Sequence, residues 1–176
     1  MTENGPGARA VAAAQIDDIF LIKSDCWVAR DFNPSAQVSQ FTYGHQSSVD
    51  LEVLVQTRTP LDGTPAFHIL RYFVNADVRL LKPEVKIEAK EPAEQDLLAV
   101  LRFTLAADYR CPKELAEDKD AIGAFARNAH FHVWPYLREE VQSVCGRLRI
   151  PRITLPVLRP DQAGNIPMDP QPQPAK

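Results

Sequence analysis

The apolar residues of this chain change their spacing near residue 112. Upstream of that point they recur at every second position. Ile19 and Leu21 alternate with Phe20 and Ile22, and Val49, Leu51, Val53 and Val55 alternate with Asp50, Glu52 and Gln56. Phe67, Ile69 and Phe73 alternate with His68, Leu70, Tyr72 and Val74, and Leu97, Ala99, Leu101, Phe103 and Leu105 repeat the pattern. A period of two predicts strands, because successive side chains leave opposite faces of a pleated chain. The first segment is apolar on both sides and is expected between two layers; the second has one wet face. Thr59–Gly63 contains the Pro and Gly of a turn, and a charged connector runs from Lys82 to Glu94. Neighbours separated in this way predict an antiparallel sheet of about four strands.

Downstream, the spacing becomes three and four. Leu115, Ile122, Phe125, Ala126 and Ala129 predict a helix over Glu114–Ala129, starting at Cys111-Pro112 or at Asp118/Asp120. A second helix is expected to open at Pro135, where a missing N–H costs nothing in the first turn. Leu137, Val141, Val144 and Leu148 form its stripe. Glu139 and Glu140 lie near its start and Arg147 near its end, each on the side the helix dipole favours. Gly146 is expected to loosen the last turn and Pro151 to stop it. Strands first and helices last is the α+β arrangement: a four-stranded antiparallel sheet with two C-terminal helices packed on one face.

Residues 1–10 read as a disordered N-terminal arm, residues 11–158 as one folded domain, and residues 159–176, rich in Pro and Gln, as a disordered tail. The formal net charge of -3 argues against a nucleic-acid binder, which needs a basic face. No apolar run approaches the roughly 18 residues of a membrane span. The polar start lacks the apolar stretch of a secretory signal, so a cytoplasmic location is expected. Cys26, Cys111 and Cys145 are odd in number and far apart, which suits free thiols in a reducing compartment.

Chemistry-bearing motifs are few. His130-Phe131-His132, with Cys145 beyond, is the best metal candidate, but two His at i, i+2 converge only on a strand or loop and need further ligands. His45 and His68 stand alone. Asp17 and Asp18 would point to opposite faces of a strand unless a bulge intervened. There is no Gly-rich phosphate loop, GxSxG or HExxH. No metal, cofactor or catalytic group is expected, and the chain reads as a non-enzyme.

Apolar and aromatic surface is in surplus around the helices. Phe125, Phe131, Trp134 and Tyr136 crowd the expected connector, and Leu148, Ile150, Ile153 and Leu155 come after the second helix in near alternation. One small core has limited use for so much sticky area; the remainder belongs to an oligomer or a binding groove. The run Trp134-Pro135-Tyr136-Leu137-Arg138-Glu139-Glu140-Val141, and then Gly146-Arg147-Leu148-Arg149-Ile150-Pro151-Arg152-Ile153-Thr154-Leu155-Pro156, resembles the C-terminal helix region of SecB chaperones. Ala14–Leu21 resembles the first strand of the divergent SecB-like branch associated with toxin–antitoxin systems.

That resemblance implies a dimer of dimers, hence a homotetramer, with long apolar grooves that hold unfolded preproteins or an antitoxin without ATP. By motif position it assigns the groove to Phe125, Phe131, Trp134, Tyr136, Leu148, Ile150, Ile153 and Leu155. Export SecB docks the SecA motor through acidic residues on its sheet; the comparable strand here, Phe67-His68-Ile69-Leu70-Arg71, has no acid. This departure puts SecA docking in question and points to an antitoxin or specialised client. The alternative function is a dedicated scaffold that binds one folded partner. A third is a small-molecule binding domain using the same cleft.

Overall fold

The computed structural model describes residues 5–33, 45–62, 64–82, 85 and 92–158, with the side chains of residues 45–49 left aside. A short helix, α1 (Pro6–Ala13), precedes four strands: β1 (Gln15–Val28), β2 (His45–Arg58), β3 (Phe67–Leu81) and β4 (Leu97–Cys111). Helices α2 (Lys113–Glu117) and α3 (Lys119–Leu148) complete the fold. The strands form one antiparallel sheet in the order β1-β4-β3-β2. The expected four-stranded sheet with two helices after it is therefore present.

The inner face of the sheet arises from the period of two. On β3, Leu70, Tyr72, Val74, Ala76, Val78 and Leu80 are buried; on β4, Ala99, Leu101, Phe103, Leu105, Ala107 and Tyr109 lie opposite them. These residues and the buried stripe of α3 form a single core. Burial of this much aliphatic and aromatic surface is the main driving force for the fold. Tyr72 ties the layers together: its hydroxyl donates to the Ile122 carbonyl at 2.7 Å, and its ring meets those of Tyr109 and Phe125.

Three expectations change. Residues 6–10 are the first part of α1 rather than a frayed arm, and Ala10 is completely buried; residues 1–4 and the tail 159–176 lie outside the described residues. β1 is an edge strand rather than a strand between layers, so its double apolar pattern leaves Leu21 and Ile22 exposed. The expected break at 130–134 is also absent. Asp118 caps α3 by accepting from the Ala121 N–H, and the helix continues for 30 residues with Pro135 inside it. A Pro there forfeits one backbone hydrogen bond and costs about 3 kcal/mol. Burial of Val133, Trp134, Leu137 and Val141 on either side of it offsets that cost. The boundary between the two helices falls at Asp118, one of the two starts the sequence offers.

Candidate client-binding site

Helix α3 ends where Arg149 adopts the left-handed conformation (φ 54°), its N–H turned back to the Cys145 and Gly146 carbonyls. Left-handed backbone favours glycine, so the bend depends on the packing of residues 150–155 to hold it. Residues 150–158 leave as an extended strap with neither helix nor strand pairing. Ile150, Pro151, Ile153 and Leu155 face inward and are buried, whereas Arg152, Thr154, Pro156 and Val157 face water. The strap runs back along α3. Ile153 backbone meets the Cys145 thiol, and the Trp134 indole N–H donates to the Pro156 carbonyl at 2.8 Å. Cys145 and Trp134 are about 16 Å apart along the helix axis at 1.5 Å per residue.

The residues assigned to a groove thus have different fates. Phe125, Trp134, Ile150, Ile153 and Leu155 are buried in the protomer's own core. Phe131 and Leu148 are half-buried, and Tyr136 alone is exposed. The structure brings Trp134 together with the strap, its indole hydrogen-bonded to the Pro156 carbonyl. The surplus apolar surface lies elsewhere, chiefly on β1: Ile16, Leu21, Ile22 and Trp27 are exposed, and Leu54 and Val55 are exposed on the opposite edge strand, β2.

His130 and His132 diverge, as i, i+2 residues on a helix must. His132 Nδ1 shares a hydrogen bond with the Tyr109 hydroxyl at 2.9 Å. His130 is 5% exposed, packs edge-on against Trp134 with ring centroids 5.3 Å apart, and has no hydrogen-bond partner for either ring nitrogen among the described residues. Burial lowers the pKa of both imidazoles and raises that of the Cys111 and Cys145 thiols. Among the described residues no three His, Cys, Asp or Glu side chains come together in a way that could hold a metal ion.

The outer face of the sheet carries a lattice that strand period alone did not reveal. Asp108 is 2% exposed and accepts from Arg71 at 2.6 and 2.7 Å and from Arg58 at 3.0 Å. Asp77 accepts from Arg79 and Arg102, while Arg110 pairs with Asp17. Asp17 sits at a shift of register between Ile16 and Asp18, the bulge that adjacent acids would need to escape strict alternation. Arg71 and Arg110 also stack over Phe20 and Phe67. Acids are therefore present on this face, Asp17 from β1, Asp77 from β3 beyond the Phe67–Arg71 segment and Asp108 from β4, and arginines engage them. At one end of the sheet, an open cleft of about 590 Å³ is lined by Trp27, Arg30, Asp31, Lys82, Glu94 and Leu97. Its walls are mixed in polarity, unlike an apolar groove.

No protein-family model matches the chain. Two curated relatives from Mycobacterium tuberculosis strains, the SecB-like chaperones Rv1957 and MT2006, are each 28% identical to it over 154 residues, covering 86% of this chain and 81% of the relative. A solved structure of Rv1957, in complex with a ChAD peptide from the Rv1956 HigA1 antitoxin, shares the fold with a TM-score of 0.61 and 24% identity, over 88% of this chain and 96% of that one. No helix among the described residues is long and apolar enough to cross a membrane. Across most of its length the chain is thus similar to SecB-like chaperones, with the same fold beneath the similarity.

Proposed function

We propose that the chain is an ATP-independent holdase that binds unfolded client polypeptides, with an antitoxin segment as the favoured client. The observation that carries this reading is the match to a SecB-like chaperone seen with an antitoxin peptide. Exposed apolar residues on the edge strands, and the apolar surface of α3 beneath the strap, supply sequence-tolerant contact area. Binding the unfolded form holds back folding by mass action. The role is non-catalytic and the location cytoplasmic. The acids of the sheet are engaged by arginines, which supports leaving the SecA motor out of the partner set. The exposed apolar edge of β1 supports assembly into a homotetramer, because an unpaired edge strand invites pairing with another chain.

Light scattering of a denatured, aggregation-prone protein tests the holdase reading. Suppression at near-equimolar chaperone is expected; undiminished aggregation would refute it. Size-exclusion chromatography with mass measurement tests the assembly, where a monomer at micromolar concentration would count against it. The charged lattice on the outer face favours a second reading, a scaffold for one folded partner. That reading prevails if a single folded protein is captured and unfolded peptides never compete for it.

A further inference from the structure

We infer that the strap, residues 150–158, is the resident occupant of the client site. An extended client with apolar side chains at alternate positions then binds by taking the strap's place along the second half of α3. This inference rests on the holdase reading and adds to it where the client sits and what it must displace.

Three observations carry the inference. First, the strap has the chemistry of a client: it is extended, with Ile153 and Leu155 turned inward and Arg152, Thr154 and Pro156 turned outward. Second, sockets for side chains hold it rather than a ladder of backbone bonds. Beyond Ile150, no backbone–backbone hydrogen bond fastens it among the described residues. Its anchors are the Cys145 thiol and the Trp134 indole, and the indole holds a main-chain carbonyl, a group that every polypeptide possesses. Third, the site has a polar group that the strap leaves unsatisfied. His130 lies beside Trp134, buried, with both ring nitrogens unpartnered among the described residues. The strap residue held by the neighbouring Trp134 indole is Pro156, which has no N–H to give. A client with an ordinary residue there supplies one, so the incoming chain gains a bond the strap does not make.

Displacement also accounts for the burial of Trp134, Ile150, Ile153 and Leu155 in the unoccupied protomer. Trp134 belongs to the wall of the site, and the three strap residues stand in for client side chains. The apparent affinity for a client is then reduced by the fraction of time the strap is seated.

The test uses the full chain and fluorescein-labelled, reduced and S-carboxymethylated α-lactalbumin as a permanently unfolded probe, with binding read by anisotropy. An Ile153→Ser/Leu155→Ser variant unseats the strap without altering α3, and a milder Leu155→Ala variant loosens it; circular dichroism checks that each is folded. Binding about tenfold tighter in the first and a few-fold tighter in the second is expected. If the double variant is unfolded, Leu155→Ala decides alone, in the same direction. Equal or weaker binding by folded variants, with the unsubstituted chain still binding, overturns strap displacement and leaves the holdase reading standing. Failure of all three proteins to bind the probe overturns both.

Discussion

The first half of α3 meets helix α1 at Ala124, whereas its second half meets the strap at Trp134 and Cys145. Each half is buried, but the two covers differ in kind. α1 is a helix whose backbone bonds are internal; its Gly7 stands against Ala124 and its Arg9 pairs with Asp118. Beneath it, Phe125 meets Tyr72 and Tyr109, and the Tyr72 hydroxyl is satisfied by Ile122. The strap brings a backbone held only by the Trp134 and Cys145 side chains beyond Ile150, and His130 beside Trp134 has no partner among the described residues. Polar groups satisfied on both sides make a permanent joint, while unsatisfied ones leave room for a better ligand. The contrast separates a structural contact from an exchangeable one within a single helix.

The largest effect should come from the first half. Phe125→Ala is expected to lower stability by about 3–5 kcal/mol in denaturant unfolding, because the aromatic junction of both layers is hollowed out. It should not tighten client binding; if it does, the two halves are not distinct. Ile153→Ser should cost less, on the order of 1–2 kcal/mol, since a strap that can detach caps the penalty at the cost of its own local release. A loss as great as that of Phe125→Ala would make the strap part of the rigid core.

His130→Leu sharpens the contrast further. Removing a buried imidazole with no partner should leave stability unchanged or raise it by about 1 kcal/mol, while weakening client binding. Both properties falling together would make His130 merely structural. The same variant has a pH signature. Burial holds the His130 pKa below its ordinary 6.5 in the folded chain. Below that pH the unfolded chain takes up a proton that the folded chain refuses, so stability falls as pH drops from about 6.5 toward the depressed value. Melting temperatures between pH 7.5 and 5 should decline less steeply in His130→Leu than in the parent. The smallest effect is expected at Gly7→Ala, whose new Cβ would sit 3.4 Å from that of Ala124, an ordinary contact. Better helix propensity should stabilise α1 by about 0.5–1 kcal/mol with client affinity unchanged.

The strands were legible because their signal is local. Alternation along Phe67–Val74 and Leu97–Leu105 survives in the buried rows of β3 and β4, where both strands have neighbours on each side. Ile19–Ile22 misled for the same reason: a double apolar face marks a buried strand or an edge that waits for another chain, and the residues are identical in both cases. The lattice around Asp108 was not legible at all. It joins Arg58, Arg71 and Asp108 from three strands, and their meeting depends on register rather than on any spacing in the chain. Local preference also placed a helix start at Pro135, where neighbouring burial carries the helix straight through.

Periodicity alone determined the class of fold and the order of strands before helices from β1 onward, since main-chain geometry converts spacing into faces without reference to distant residues. The motif around Trp134–Pro156 carried the resemblance to SecB chaperones. Only the tertiary structure decided which of those side chains meet water. Whether Trp134, Ile153 and Leu155 form an open wall or a closed one depends on where the strap folds back, and that is set by its competition with solvent for the surface of α3.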